Sequence, residues 1–123
     1  MATEVNSEIL KQRTKHFALL LIRLCRTIPS SQEGRIITRQ LLRSATSVAA
    51  NYRAVCRARS RADFISKLGI VLEEADESLF WLELLVDAGL IQREKVRMPL
   101  AEANELVAIF VTSLRTAKEK SAI

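Results

Sequence analysis

Apolar positions recur at steps of three and four residues through four stretches of the chain, the period of an amphipathic α-helix. Leu10, Phe17, Leu21, Leu24 and Ile28 form the first stripe, with Thr14 filling its gap. They predict a helix over residues 7–27, with Asn6 as N-cap and Glu8 in the first turn. Pro29 ends it, because the residue before a proline is pushed out of helical geometry. The second stripe, Leu41, Ala45, Val48, Tyr52 and Val55, predicts a helix over 31–59 that opens on Ser30 and Glu33 in capping-box spacing. Small residues dominate its middle (Ser44, Ala45, Ser47, Ala49, Ala50) and admit a neighbouring helix closely.

A second capping box, Ser60 with Asp63, opens a predicted helix over 61–88. Its expected seam is Ile65, Leu68, Leu72, Ala75, Leu79, Leu82 and Val86, a heptad pattern, and Gly89 suits the C-terminal cap. The fourth stripe is Leu100, Ala103, Val107, Phe110, Leu114 and Ala117, in a helix over 93–120. Pro99 is tolerated in a first turn, and kinks a helix that begins as early as Arg93. Lys118 and Lys120 complement the dipole of the last turn. Four helices with short connections specify an all-α fold, an antiparallel up-down four-helix bundle in one domain over 1–123.

Composition agrees with the pattern. Three glycines and two prolines cannot supply the turns of a sandwich, barrel or repeated βαβ fold. With 49% hydrophobic residues, disorder is excluded too. The joint between the second and third helices has neither Gly nor Pro and rests on the Ser60 box alone, so it is the boundary at which two helices could fuse.

The net charge of +5 is unevenly placed. Residues 1–62 hold 12 Lys or Arg against 3 Glu, and residues 63–123 hold 7 against 11 Asp or Glu. The second helix carries Arg35, Arg39, Arg43, Arg53, Arg57, Arg59 and Arg61, with no acid between Glu33 and Asp63. On one continuous helix, all but Arg59 fall inside an arc of about 80°. Guanidinium groups bind phosphate bidentately, so the ridge suits a nucleic-acid backbone. Without interleaved aromatics it does not suit stacking on unpaired bases. The other reading is a face that pairs with acids, which the third helix supplies in Glu73, Glu74, Asp76, Glu77, Glu83 and Asp87.

Ile70, Phe80, Trp81, Leu84 and Leu85 lie off the expected seam of the third helix. A second apolar patch with two aromatics points to an interface with another subunit. Chemistry beyond binding has little to stand on. His16 is the single histidine, so the Glu-x-x-His pairs of a carboxylate-bridged metal bundle are missing. No glycine-rich phosphate loop is present. The expectation is a non-enzyme with no cofactor and no metal. Cys25 and Cys56 fall on apolar faces and read as buried, reduced thiols. The run Phe17–Ile22 is too short for a membrane span and the N-terminus lacks a signal-peptide pattern, so a cytoplasmic protein with no membrane partner is expected.

Three segments resemble a known family. They are Gln40 to Asn51 (QLLRSATSVAAN), Ser60 to Leu68 (SRADFISKL) and Glu74 to Leu85 (EADESLFWLELL). Together they resemble the bacterial four-helix-bundle family of proteins encoded in intervening sequences of 23S ribosomal RNA genes. Phe80 and Ala49 depart from the Tyr and Gly common in that family. The resemblance implies a ring-like homopentamer. It also implies kinship with the accessory protein of diversity-generating retroelements, a basic pentamer that binds nucleic acid and a reverse transcriptase. It carries over no catalytic residue, and most members have no established activity.

The expectation is therefore a non-enzymatic homo-oligomer that binds RNA or DNA through Arg35, Arg39, Arg43, Arg53, Arg57 and Arg61. The alternative is a protein-binding scaffold whose arginines pair with acidic faces of neighbouring subunits.

Overall fold

The computed structural model describes residues 2–121, with side chains from Ser7 onward. Four helices follow one another: α1 (Ala2–Cys25), α2 (Gln32–Val55), α3 (Arg61–Asp87) and α4 (Arg93–Ser121). Short connections reverse the chain each time, so consecutive helices lie side by side and antiparallel. Within the bundle α2 and α3 meet most extensively, α3 with α4 and α1 with α2 follow, and α1 closes the ring against α4 more lightly. No described helix is long and apolar enough to cross a membrane.

The helix ends correct three expectations. Nothing between Ala2 and Cys25 breaks a helix, so α1 starts at Ala2 and Asn6 lies inside it rather than capping it. The cap of α2 is Ser31, not Ser30. Ser31 has extended backbone, and its hydroxyl accepts from the Gly34 N–H at 3.0 Å. Ser30 instead accepts, through its carbonyl, from the Arg35 guanidinium at 2.8 Å. A Cβ at Gly34 would stand 2.3 Å from the Pro29 carbonyl oxygen, so the close turn into α2 requires glycine there.

Third, α2 stops at Val55 instead of reaching residue 59. The cause lies in the residues that follow. Ser60 adopts extended backbone (φ −159°, ψ 168°), and its hydroxyl accepts from the Asp63 N–H at 3.0 Å. The Asp63 carboxylate in turn accepts from the Arg59 N–H at 3.1 Å. This cap is incompatible with helix through Ser60, so α2 and α3 stay separate without Gly or Pro. At the far end of α3, Leu90 N–H reaches Leu85 O and Gly89 N–H reaches Val86 O, both at 3.0 Å. This Schellman turn needs the positive φ of Gly89, +73°. The fourth helix runs through Pro99, whose buried ring removes the donor for Lys95 O.

The core confirms the α2 stripe in full: Leu41, Ala45, Val48, Tyr52 and Val55 are all buried. They meet Phe17, Leu21 and Leu24 of α1 and Phe110 of α4. On α3 the expected seam is only half right. Leu68, Ala75 and Leu82 are buried, but their partners are Val71, Ser78 and Leu85, while Leu72, Leu79 and Val86 sit at the core's edge. The α4 seam shifts in the same way. Val96, Pro99 and Leu106 are buried beside Ala103, Phe110 and Ala117, whereas Leu100, Val107 and Leu114 are half-buried.

Polar contacts also tie helices together. The buried Ser78 hydroxyl donates to Ser44 Oγ at 2.9 Å, across the close α2–α3 approach that small residues permit. Arg13 of α1 forks onto Glu102 of α4, with Nε and Nη2 bonds of 3.0 and 2.8 Å, and reaches Glu105 at 3.2 Å. The Glu102 hydrogen bond holds the guanidinium proton more tightly than usual.

Candidate functional site

The end of α2 at Val55 breaks the arginine ridge into parts with different surroundings. Arg35, Arg39, Arg43 and Arg53 remain on α2, Arg57 and Arg59 lie in the connection, and Arg61 opens α3. All are exposed. Arg35 is tethered to the Ser30 carbonyl. Arg43 bonds Glu74 at 3.2 Å and also pairs with Glu77, so the acidic face of α3 already neutralises it. Arg61 turns toward α4, where it lines a pocket with Phe64, Thr116 and Lys120. The six arginines thus do not form one continuous stripe.

A different group does come together. Arg53, Arg57 and Arg59 line one open pocket of about 590 Å³ at the α2–α3 corner, floored by Ala50 and Ala54 and edged by Lys67 and Asp63. Lys67 occupies Asp63 at 2.7 Å, which holds that carboxyl below its usual range, with the Arg59 N–H adding to the effect. Asp63 therefore leaves the three guanidinium groups without a carboxylate partner among the described residues. A second pocket, of about 480 Å³, adjoins across Ala50 and Arg53 and is lined by Lys11 and Lys15 of α1. Glu8 also borders it and lies 3.6 Å from Lys11.

Sequence reasoning missed this corner for a definite reason. Arg59 points away from the ridge only if α2 is continued as one straight helix. Once the connection turns, it joins Arg53 and Arg57. Lys11 and Lys15 stand four apart on α1, a spacing that places two cations on one face.

The apolar patch is also rearranged. Leu85 is fully buried in the core and offers no surface, because the true seam passes through it. Ile70 and Phe80 are 44% and 51% exposed, whereas Trp81 and Leu84 are half-buried against the core. Phe80 and Trp81 meet edge to face at 4.9 Å, and the Trp81 indole N–H is buried without a partner among the described residues.

Neither cysteine is bonded, but only Cys25 is buried, and burial pushes its thiol up to about 11. Cys56 caps α2 and is exposed, contrary to expectation, because the helix face it was placed on ends one residue earlier. His16 is exposed on α1. Among the described residues, no group of three or more His, Cys, Asp or Glu is placed to hold a metal ion.

The four helices and their order have a solved counterpart. A crystal structure of a protein of unknown function from the S23 ribosomal protein family of Bacteroides thetaiotaomicron superposes with a TM-score of 0.79. Its sequence is 35% identical, and the match covers 85% of this chain and 97% of that one. No curated protein matches. The family model described as 23S rRNA-intervening sequence protein matches residues 7–112, through all four helices and both capping motifs of α3. The chain belongs to the 23S rRNA-intervening sequence protein family.

Proposed function

We propose that the protein is a non-enzymatic, self-associating helical bundle that binds RNA or DNA through phosphate contacts. The observation that carries this reading is the set of exposed arginines lacking carboxylate partners among the described residues. Arg35, Arg39, Arg53, Arg57, Arg59 and Arg61 are its candidate members, and Arg43 is not among them. An exposed guanidinium without an acid in reach is a site at which a phosphate replaces only water and counterions. Each of these that engages a duplex phosphate adds about −0.9 to the slope of log K against log salt. Fluorescence anisotropy of a labelled duplex across a salt series reads that slope directly. Absence of binding at low salt overturns the proposal.

The scaffold reading is favoured by one contact, the pairing of Arg43 with Glu74 and Glu77 inside the chain. Exposed Glu73, Asp76, Glu83 and Asp87 give α3 further carboxylates of the same kind. In that reading Arg57→Glu changes the mass of the assembly by light scattering and leaves nucleic-acid affinity alone. In the phosphate reading it does the reverse.

A further inference from the structure

We infer that the phosphate-binding site is the corner basin of Arg53, Arg57 and Arg59, extended by Lys15 of α1, and that Arg35 and Arg39 lie outside it. The inference rests on the phosphate-binding reading above and sharpens where, and by which groups, the phosphates are held.

Three observations locate the site. Arg39 and Arg53 are separated along α2 by about 21 Å at the helical rise, and Arg43 between them is neutralised by Glu74 and Glu77. The ridge is therefore interrupted in charge as well as in helix. At the corner the opposite holds, because three elements converge on two adjoining pockets that share Ala50 and Arg53. Lastly, the single acid of the larger pocket, Asp63, is consumed by the helix cap and Lys67, so it opposes an anion only weakly.

The floor suits the ligand. Ala50 and Ala54 are small, so a phosphate group can sit low among the guanidinium groups, which reach it from the helix and from the connection. Arg57 and Arg59 stand on the connection and Arg53 on α2, so the guanidinium groups that line the pocket come from two elements. Such converging cations hold one or two adjacent phosphates more firmly than a row of parallel side chains, because several donors share each oxygen set. The second pocket then leads the backbone past Lys15 along the α1–α2 groove.

Charge reversal separates this site from the rest of the ridge. Arg53→Glu with Arg59→Glu is compared with Arg35→Glu and Arg39→Glu, using a labelled 20-mer duplex, the matching single strand and inorganic tripolyphosphate as ligands. The milder Arg53→Gln with Arg59→Gln serves if reversal disturbs the fold by circular dichroism. The expected result is a loss of about tenfold or more for the corner pair and a salt slope shallower by about 2. The Arg35 and Arg39 pair is expected to change affinity by less than about threefold. Equal losses from both pairs, or a loss from the Arg35 and Arg39 pair alone, overturn the corner assignment while leaving phosphate binding in place. Tripolyphosphate binding that depends on Arg53 and Arg59, without binding of either oligonucleotide, supports the basin and overturns the nucleic-acid reading. No binding of any of the three ligands overturns both.

Discussion

Arg43 donates to the Glu74 carboxylate at 3.2 Å, linking the basic helix to the acidic one inside a single chain. The side chain of Arg43 is half exposed, so the pair contributes little to stability, under about 1 kcal/mol. Its larger consequence is electrostatic, since it takes one arginine out of the set that faces solvent uncompensated. Arg43→Ala is expected to leave duplex affinity within about twofold of the parent, because its charge is already neutralised. A double-mutant cycle with Glu74→Ala, followed by urea unfolding, is expected to give a coupling below about 1 kcal/mol. A tenfold affinity loss for Arg43→Ala would show the pair opening to phosphate.

The Ser44–Ser78 contact is of the opposite kind, since both residues are fully buried. Ser78 donates to Ser44 and Ser44 to the Leu41 carbonyl. Removing either hydroxyl disrupts the link at a cost of about 1 kcal/mol. The hydroxyl that remains keeps a backbone acceptor in its own helix, Glu74 O for Ser78 and Leu41 O for Ser44, so both single changes lose the same shared link and Ser44→Ala with Ser78→Ala is expected to cost less than the two single costs added. Additive losses in urea unfolding would contradict this.

Glycines 34 and 69 are expected to respond to alanine with opposite signs. At Gly34 the new Cβ meets the Pro29 carbonyl oxygen, a backbone atom that yields only if the turn moves, at a cost of about 1–3 kcal/mol. Nothing lies within 4 Å of a Cβ at Gly69, so alanine there gains about 0.5–1 kcal/mol of helix stability. Thermal unfolding of the two variants checks the pair, and a lower Tm at both positions would refute it.

Burial pushes the Tyr52 phenol up to about 12 and the Cys25 thiol up to about 11. Both groups ionise more readily in the unfolded chain, near 10 and 9. Their contribution to stability is therefore complete below those values and is lost as pH rises through 11 and 12. Tyr52→Phe is expected to flatten the alkaline limb of the stability curve between about pH 10 and 12. In native protein at neutral pH, iodoacetamide is expected to add once, at exposed Cys56, and a second time only in denaturant. Intact mass reads both outcomes.

Phe80 offers the cleanest test of self-association, because half of its surface is exposed. Trp81 also packs on the core, so its loss weakens the fold itself. Phe80→Ala is expected to lower the mass in solution while the helical content is kept. An unchanged mass would contradict the proposal that this face self-associates.

Much of the architecture was legible in the residues. Leu41, Ala45, Val48, Tyr52 and Val55 are an apolar stripe on a helix whose other side carries Arg35, Arg39, Arg43 and Arg53, so only one face of α2 is suited to burial. Ser60, Asp63 and Gly89 are local devices, in which each side chain or dihedral acts within a few residues; Ser60 and Gly89 do what their spacing announces, and Asp63 closes onto the Arg59 N–H, one residue before the cap. The third and fourth helices were legible only in part, since adjacent positions such as Val71 and Leu72 are both apolar. Periodicity then fixes that a helix forms but leaves its rotation about its own axis open by roughly one residue.

The sequence by itself determined how many helices there are and which breakers separate them, because hydrogen bonding, capping and dihedral preference are short-range. The tertiary structure alone decided which apolar row of α3 entered the core, burying Leu85 and leaving Phe80 outside. It also decided which cations meet. Arg43 went to Glu74, while Arg53, Arg57 and Arg59 gathered where the chain turns. Rotation and charge proximity depend on how neighbouring helices fit, and that fit is a property of the packed molecule rather than of any one segment.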